Sequence, residues 1–465
     1  MSMPEVSSVV LAGLSGGSGK SVAAVALLAA LRQDGYAVSP FKKGPDYIDA
    51  GWMARAAGRP CYNLDPFLMS PQQILATFRE HLAGSDLALI EGNRGLYDGV
   101  NATGSYSTAE LAILLNLPVL LVVNCAKTTR TVAALVLGCR HFDPRVRIAG
   151  VILNQIATPR HERIIRESLA QTTDLPVLGI IPRLKTDIFP MRHLGVTPHQ
   201  EYADADQAIE RLATLAKEHF DLKAITAAMQ PVLPVEPPAP SKISSVTDRL
   251  KIGVLRDAAF QFYYEENLEA LQGQGAELVM IDALHADKLP DDLHGLYIGG
   301  GFPETSAQEL ANNHSFRRSL IRYIENDLPV YAECGGLIYL GRSILLEGTE
   351  YPLAGVFPVT FSLDRKPQAH GYSQFTVEGV NTFYAKGLQL KGHEFRYSTV
   401  HQWDGNLNEL VLRMSRGTGF VGGRDGLVKN KVLALYTHVL ASGTPEWVTG
   451  FIGSANQHAG RKNLP

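Results

Sequence analysis

The chain has 465 residues, with 43 lysines and arginines against 46 aspartates and glutamates and a formal net charge of −3. This near balance argues against a protein that binds nucleic acid through bulk positive charge, and against an acidic disordered chain. A hydrophobic share of 45% is ordinary for a globular protein, and no apolar run approaches the ~20 residues of a membrane span.

From Ser7 to about Phe220, short apolar runs alternate with amphipathic stretches. Buried strands are predicted for the runs SSVVLAG, YAVSPFK, DLALIEG, PVLLVVN, RIAGVILN and PVLGIIP. Helices are predicted for intervening stretches such as SVAAVALLAALRQ and TRTVAALVLGCRHF. This alternation indicates βαβ units and a mostly parallel sheet. The first run follows an N-terminus without a basic segment, so we expect a strand there rather than a signal peptide.

A Pro-rich segment then interrupts the pattern. Five prolines between Pro231 and Pro240 predict an extended linker, which we assign to residues 230–248, between domains at 1–229 and 249–465. A second α/β pattern follows, with the predicted strands LKIGVLRD, AELVMID, GLYIGGG and PVYAE and then the β-rich runs HGYSQFTV, HEFRYS and VLALYTHV. The predicted fold is α/β, a parallel-sheet P-loop domain followed by a different α/β domain. Four widely spaced cysteines without a CxxC pair predict neither disulfides nor zinc, which favours a cytoplasmic protein.

The first strand leads into GLSGGSGKS, residues 13–21, and then into a helix. The glycines Gly16, Gly17 and Gly19 would let backbone N–H groups point at phosphate oxygens, and the new helix offers its positive end. Lys20 can reach the β- and γ-phosphates of ATP, and the Ser21 hydroxyl can ligate Mg²⁺. The spacing is one residue longer than the strict Walker pattern, and a plain Gly-rich turn is the alternative. Strand, loop, Lys-Ser and helix in this order favour nucleotide binding.

Two charged clusters follow the next predicted strands, at the edge where parallel α/β sheets bind ligands. FKKGPDYID supplies Asp46 and Asp49, and EGNRGLYDG supplies Glu91 and Asp98. We predict Asp46, Glu91 and Ser21 as Mg²⁺ ligands and Asp46, Asp49 and Asp98 as catalytic carboxylates. The predicted contacts to an anionic substrate are Lys42, Lys43, Tyr47 and Arg94. The alternative is that Asp46 and Asp49 cap a helix and that Glu91 is a solvated strand end.

A second site is predicted in the C-terminal half. Cys334, in ECGG, follows a strand and precedes a helix, which is typical of a nucleophile elbow. His438, in YTH, offers a base, and the amides of Gly300 and Gly335 are predicted oxyanion donors. A buried cysteine and a core histidine are the alternative interpretation. The ordered set GGGFPE, ECGG and YTH favours catalysis.

With these motifs and the run RDAAFQFYYEENL from Arg256, the chain resembles the cobyrinic acid a,c-diamide synthase family over both domains. The N-terminal half is similar to dethiobiotin synthetase, and the C-terminal half resembles a class I glutamine amidotransferase. KKGPDYID favours this family over the related cobyric acid synthases. The resemblance implies ATP- and glutamine-dependent amidation of the a and c acetate groups of a corrin-type tetrapyrrole.

The resemblance also implies roles for individual residues. Cys334 would release ammonia from L-glutamine through a glutamyl thioester, with His438 as its base, and the ammonia would travel through a channel to the ATP site. Lys20, Ser21 and the four carboxylates would serve Mg²⁺–ATP and carboxylate activation. Asn154 and Pro182 would contact adenine. A homodimer is one assembly state that we expect.

One departure from most triad amidotransferases, which fits the family because the family is known to lack the same Glu, and two departures from corrinoid-acting relatives leave questions open. Most triad amidotransferases carry a Glu two residues after the histidine, where this chain has Leu440. Asn93-Arg94 replaces a common apolar pair, and Arg396 stands where corrinoid-acting relatives have His in HEFHYS. The last two changes keep sirohaem and nickel sirohydrochlorin open as substrates. A partitioning-type ATPase with an inactive amidotransferase half is the alternative from another functional class.

Overall fold

The computed structural model describes residues 4–184, 191–192, 195–196, 198–235 and 249–462. The chain divides into two units, Met1–Pro238 and Ala239–Pro465. This division falls within the predicted linker, whose first residues, Gln230–Val232, form a strand of the first unit. Residues 236–248 of the linker lie outside the described residues.

In the part of the first unit that the structure describes, eight strands form the main sheet: β1 Val6–Gly13, β2 Val38–Lys43, β3 Tyr62–Leu64, β4 Leu87–Glu91, β5 Val119–Asn124, β6 Ile148–Ile156, β7 Val177–Pro182 and β10 Gln230–Val232. A separate hairpin comprises β8 Met191–Arg192 and β9 Gly195–Val196. The order in the main sheet is β3-β2-β4-β1-β5-β6-β7, with parallel neighbours, and β10 pairs antiparallel with β1. The predicted parallel sheet is therefore confirmed.

Among the described residues, the first unit has eight α-helices: α1 Lys20–Gln33, α2 Ile48–Ala57, α3 Pro71–Glu80, α4 Thr108–Leu115, α5 Arg130–Phe142, α6 Pro159–Thr172, α7 Ala205–His219 and α8 Leu222–Ala227. A 3₁₀ turn occupies His199–Glu201. The Ala- and Leu-rich helix α1 packs against α2 and α7, and ten of its fourteen residues are buried. A helix that is apolar on all sides is stable in water only when neighbouring elements bury it.

The strand order determines where the predicted site residues meet. β4 lies between β2 and β1, so the carboxyl ends of these three parallel strands are neighbours. The register of β2 against β4 pairs Lys42 with Glu91. The loops after these strands carry the phosphate loop and both charged motifs, which therefore come together at one edge of the sheet.

The second unit contains two sheets, with strands β11 Lys251–Leu255, β12 Glu277–Ile281, β13 Gly295–Ile298, β14 Val330–Glu333, β15 Ser343–Leu346, β16 Thr349–Pro352, β17 Val359–Leu363, β18 Ala369–Val377, β19 Gln389–Arg396, β20 Ser398–Trp403, β21 Leu410–Arg416, β22 Arg424–Lys429 and β23 Val432–Leu435. The larger sheet has the order β12-β11-β13-β14-β23-β22-β21-β18-β19. Its first five strands are parallel and the rest antiparallel. The smaller sheet has the order β16-β15-β17-β20.

The second unit has the helices α9 Glu265–Gly273, α10 Ala307–Asn312, α11 His314–Glu325, α12 Gly335–Leu340 and α13 Pro445–Lys462, with a 3₁₀ turn at Leu407–Glu409. The predicted succession of two different α/β modules is confirmed. Nothing in the part of the chain that the structure describes is a helix both long and apolar enough to cross a membrane.

Candidate active sites

The loop between β1 and α1 has the backbone of a phosphate cradle. Gly17 and Gly19 have φ angles of 73° and 95°, which L side chains rarely adopt. A Cβ atom at Gly19 would also collide with Nδ2 of Asn154. Gly16 and Gly17 are exposed, so this stretch of backbone is open to a ligand.

Lys20 lies across this loop. Its Nζ donates to the carbonyl oxygen of Ser15 at 3.1 Å. Ser18 tightens the same turn, since its Oγ accepts from Ser15 N at 3.0 Å and donates to Ser15 O at 2.9 Å. Burial lowers the pKa of Lys20. An anionic phosphate is a stronger partner for this ammonium than a backbone carbonyl.

A buried polar cluster, which we call the carboxylate cluster, consists of Ser21, Lys42, Asp49 and Glu91. Ser21 Oγ donates to Glu91 Oε1 at 2.9 Å. Lys42 Nζ donates to Asp49 Oδ2 at 2.7 Å and lies 3.2 Å from Glu91 Oε1. The side chains of Lys42 and Glu91 are only 2% and 0% exposed, so water does little to weaken their attraction.

The electrostatics of the carboxylate cluster favour a further cation. Burial raises the pKa of Glu91 to about 7. Burial would likewise raise the pKa of Asp49, but Lys42 overrides it and holds this pKa below its usual value. Within the described residues, Glu91 Oε2 is buried without a hydrogen-bond partner.

A hydroxyl and two carboxylates are a donor set that suits a hard divalent cation. However, no three carboxylate, imidazole or thiol groups converge as a metal site among the residues that the structure describes. The phosphate oxygens of a nucleotide would therefore have to complete the coordination.

Two other predicted carboxylates stabilise turns near the cluster. Asp46 Oδ1 accepts from the amide of Asp49 at 2.9 Å, at the start of α2, which is the capping role of the alternative interpretation. Burial, with the nearby Asp49, raises the pKa of Asp46 to about 6. Asp98 is exposed, and its Oδ2 accepts from Gly95 N at 2.9 Å. Asp49, rather than Asp46, is thus the carboxylate of KKGPDYID that joins Ser21 and Glu91.

The residues predicted to contact substrate differ in their exposure and in their partners. Lys42 is engaged in the carboxylate cluster, and Tyr47 directly precedes α2. Lys43 is 5% exposed, and burial lowers its pKa. Arg94 is exposed, and no carboxylate among the described residues pairs with it. Arg94 is therefore the predicted cation that is most open to a ligand.

The two residues predicted to contact adenine lie on β6 and β7. Asn154 Nδ2 donates to Ser18 O at 2.9 Å, and Asn154 Oδ1 accepts from Gln155 N at 2.8 Å. In this arrangement the side chain supports the phosphate loop, and contact with a base would require it to exchange partners. Pro182 is half-buried at the end of β7.

In the second unit, Cys334 lies on a sharp turn between β14 and α12. Its φ and ψ angles are 47° and −99°, a strained conformation for a residue with a side chain. The amide of Cys334 donates to Leu435 O at 2.8 Å, and the amide of Gly336 donates to Gly299 O at 3.1 Å. The turn directs a nucleophile toward the start of a helix, as the motif predicts.

Cys334 and His438 meet in a buried pair. Both side chains are buried, at 5% and 2% exposure. Burial alone would lower the pKa of His438, but the Cys334 thiolate and then the Glu333 carboxylate raise it to about 10. The arrangement therefore favours the imidazolium form of His438 beside the nucleophile.

The glycine turn after β13 changes the predicted oxyanion donors. The amide of Gly300 already donates to Phe262 O at 3.2 Å, so it is engaged within the turn. A Cβ at Gly300 would collide with the ring of His438, and one at Gly335 would lie 2.9 Å from the amide nitrogen of Gly301. Gly300 thus makes room for the base, and Gly335 packs closely against the backbone of Gly301 beside the nucleophile.

Glu333 is not among the residues predicted from the sequence. It has no exposed surface, and its Oε2 lies 3.4 Å from Nδ1 of His438. The register of β14 against β23 pairs Glu333 with Leu435, three residues before His438. The available signal is an acidic residue at the end of the apolar strand VYAE, directly before the nucleophile.

Arg396 lies inside the second unit, at 7% exposure. Its guanidinium lies 3.8 Å from the ring centroid of Tyr436 and donates to the carbonyl oxygens of Ser398 and Gly419. These contacts stabilise the segment that leads to His438. A role for Arg396 in retuning a tetrapyrrole pocket stays a prediction from the sequence.

Two family models match the chain in separate segments. The CobQ/CobB/MinD/ParA nucleotide binding domain matches residues 9–194, and the CobB/CobQ-like glutamine amidotransferase domain matches residues 251–445. The first match implies that the chain uses ATP. Each match lies within one of the two structural units.

The chain is similar over most of its length to proteins named cobyrinate a,c-diamide synthase. The relative from Magnetococcus marinus is 42% identical, over 92% of this chain and 93% of its own length. Those from Dehalococcoides mccartyi and Archaeoglobus fulgidus are both 38% identical, over 96% and 94% of this chain and 97% and 94% of their own lengths. The resemblance inferred from the motifs is confirmed.

Proposed function

The chain belongs to the cobyrinate a,c-diamide synthase family, and on this premise we propose that it amidates the a and c acetate carboxylates of a corrin-type tetrapyrrole. It is a carbon–nitrogen ligase with glutamine as amide-nitrogen donor, as predicted. The observation that carries the proposal is the buried Cys334–His438 pair, present in the same chain as a phosphate loop with its carboxylate cluster.

The first unit activates the substrate. A carboxylate is a poor electrophile, so its oxygen attacks the γ-phosphorus of ATP, the bond to ADP breaks, and an acyl phosphate forms. Ammonia then attacks the acyl carbon, loses a proton, and phosphate leaves as the amide forms. Lys20 and the loop amides stabilise charge on the phosphoryl group during transfer.

We assign Mg²⁺ to the carboxylate cluster. Ser21, Asp49 and Glu91 would hold it, and the buried Glu91 Oε2 supports this assignment because it lacks a hydrogen-bond partner among the described residues. When bound, Mg²⁺ neutralises charge on the phosphates. The ammonium of Lys42 partly neutralises the carboxylates of Asp49 and Glu91.

The second unit supplies ammonia. The Cys334 thiolate attacks the carboxamide carbon of glutamine, His438 delivers a proton to the departing nitrogen, and a glutamyl thioester remains. Water activated by His438 then cleaves the thioester to glutamate. The amides of Gly301 and Gly335 are the donors that we assign to the developing oxyanion.

A panel of tetrapyrroles tests the proposed substrate. The protein is incubated with ATP, Mg²⁺, glutamine and, in turn, cobyrinate, sirohaem and nickel sirohydrochlorin, and the products are analysed by mass spectrometry. We expect two amidations of cobyrinate. Amidation of another ring alone would overturn the corrinoid assignment and retain the chemistry. Absence of glutaminase activity would instead favour a nucleotide-switched protein with an inactive amidotransferase half.

Substitution of Arg94 tests how the ring is recognised. We expect Arg94→Ala to raise the KM for the tetrapyrrole by roughly one to two decades, because a charge-assisted contact to a carboxylate contributes ~1.5–3 kcal/mol. The KM for ATP should change little, and steady-state kinetics measures both. Arg145→Ala is the matched control, since Arg145 forms an exposed ion pair with Asp143. An unchanged tetrapyrrole KM in Arg94→Ala would exclude the recognition role.

The homodimer and the cytoplasmic location stay predictions from the sequence. The same holds for Lys43 and Tyr47 as substrate contacts, for Asp98 as a catalytic carboxylate, and for Pro182 beside adenine. The exposed Arg94 has the strongest physical support among the predicted substrate contacts, because its charge is accessible to a ligand.

A further inference from the structure

The carboxylate of Glu333 lies against one nitrogen of the catalytic histidine. Its Oε2 is 3.4 Å from Nδ1 of His438, and the two side chains are 0% and 2% exposed. The same imidazole lies close enough to Cys334 for the charge of the thiolate to raise the pKa of His438. Because the carboxylate lies at Nδ1 of His438, only Nε2 of this ring can interact with the nucleophile.

Both oxygens of Glu333 are held in place. Oε1 accepts from the amide of Val439 at 3.1 Å, and Oε2 accepts from the hydroxyl of Tyr297 at 3.1 Å. Asn267 connects these two donors, because its Nδ2 donates to Tyr297 Oη at 3.3 Å and to Val439 O at 2.8 Å. The carboxylate is therefore bound to the residue that directly follows His438, and the two cannot shift independently.

The other ionisable groups near His438 do not substitute for Glu333. The ring of His393 lies 6.3 Å from that of His438 and nearly parallel to it, and burial lowers the pKa of His393, so it is neutral. The Glu394 carboxylate accepts from the amides of Thr418 and Gly419 at 3.1–3.3 Å. Arg396 stacks on Tyr436.

We propose that Glu333, the residue directly before the nucleophile, is the positioning residue of His438 in glutamine hydrolysis. It holds the Nδ1–H tautomer, so that Nε2 faces Cys334, and it stabilises the imidazolium that forms when the thiol loses its proton. This role rests on the proposed function. It supplies the acidic partner that is missing at Leu440.

The isosteric variant Glu333→Gln tests the role in the full-length protein, with glutamine hydrolysis as the assay. An amide can donate to Nδ1 and so favours the wrong tautomer. We expect kcat to fall by roughly 10²–10⁴-fold, and the KM for glutamine to stay within about threefold because Glu333 is buried behind the base.

The pH profile separates positioning from mere structural support. A carboxylate at this distance favours the imidazolium, so its neutralisation lowers the pKa of His438. The limb of the profile that titrates with His438 should move to lower pH by roughly 1–3 units. Glu333→Asp, which keeps the charge, should leave this limb near its wild-type position.

Asp425→Asn is the matched control. Asp425 is a fully buried carboxylate that accepts from the amides of Gly426 and Tyr436. This variant should leave the limb unmoved. A Glu333→Gln protein with near-normal kcat, or with reduced kcat and an unmoved limb, would overturn the proposal, whereas an inactive wild type would overturn the proposed function instead.

Tyr297→Phe keeps the proposal testable if Glu333→Gln does not fold. It removes one donor from Glu333 and leaves the carboxylate in place. Without the hydrogen bond from Tyr297, the carboxylate should attract the imidazolium of His438 more strongly. The pKa of His438 should rise, and the limb of the pH profile should move to higher pH. A folded Tyr297→Phe protein with an unmoved limb would contradict the role of Glu333.

Discussion

Cys334→Ser should abolish glutamine-dependent amidation while ammonium salts still support product formation. A serine hydroxyl beside His438 is a far weaker nucleophile than a thiolate, so we expect hydrolysis of glutamine to fall by at least about 10³-fold. The phosphate loop and carboxylate cluster lie in the other unit and remain intact. Product formation with each nitrogen donor, measured by mass spectrometry at mildly alkaline pH, provides the comparison.

Cys139→Ser is the control for this experiment. Cys139 is a half-buried thiol on α5 of the first unit. Its replacement should leave amidation with glutamine and amidation with ammonia at their wild-type rates. If Cys334→Ser lost activity with glutamine and ammonia alike, the separation into two sites would be wrong.

Lys20→Ala should reduce amidation by roughly 10²–10³-fold with either nitrogen donor, the loss typical when one charge-stabilising contact is removed from a transition state. Lys20 Nζ already lies over the loop, 3.1 Å from Ser15 O, where a nucleotide phosphate would replace the carbonyl. Glutamine hydrolysis by Cys334 should persist, because its residues belong to the second unit. Parallel assays of ADP, glutamate and amide formation measure ATP use, glutamine hydrolysis and amidation separately.

Lys217→Ala offers a matched loss of charge on the same unit. Lys217 forms an exposed ion pair with Asp34 at 2.8 Å, a contact that typically contributes under ~1 kcal/mol. It should leave amidation unchanged. Full ammonia-dependent activity in Lys20→Ala would show that the loop binds something other than the reacting nucleotide.

The sequence predicts the elements and the edge at which the site forms, because buried parallel strands are continuous apolar runs bounded by turns. It does not predict which side chains of a motif converge. Asp46 and Asp49 are three residues apart, and only the start of α2 decides that Asp46 caps the helix while Asp49 reaches Lys42.

The pairing of distant segments accounts for the remaining differences between the predicted and the observed site residues. Lys42 is a plausible substrate contact until the pairing of β2 with β4 brings it to Glu91. Gly300 is a plausible oxyanion donor until its amide is seen to donate to Phe262. Glu333 reads as the end of an apolar strand, and its position against His438 depends on pairing between strands about a hundred residues apart in the sequence.

The backbone at Cys334 also has a consequence for protein engineering. A non-glycine residue at φ 47° and ψ −99° carries strain of roughly 1–3 kcal/mol, which glycine at the same position would avoid. Natural or laboratory selection for heat resistance alone would therefore favour loss of the thiol. Variants of this enzyme that are selected for durability need a simultaneous screen for glutamine turnover, and stabilising changes are better sought on helix surfaces distant from this turn.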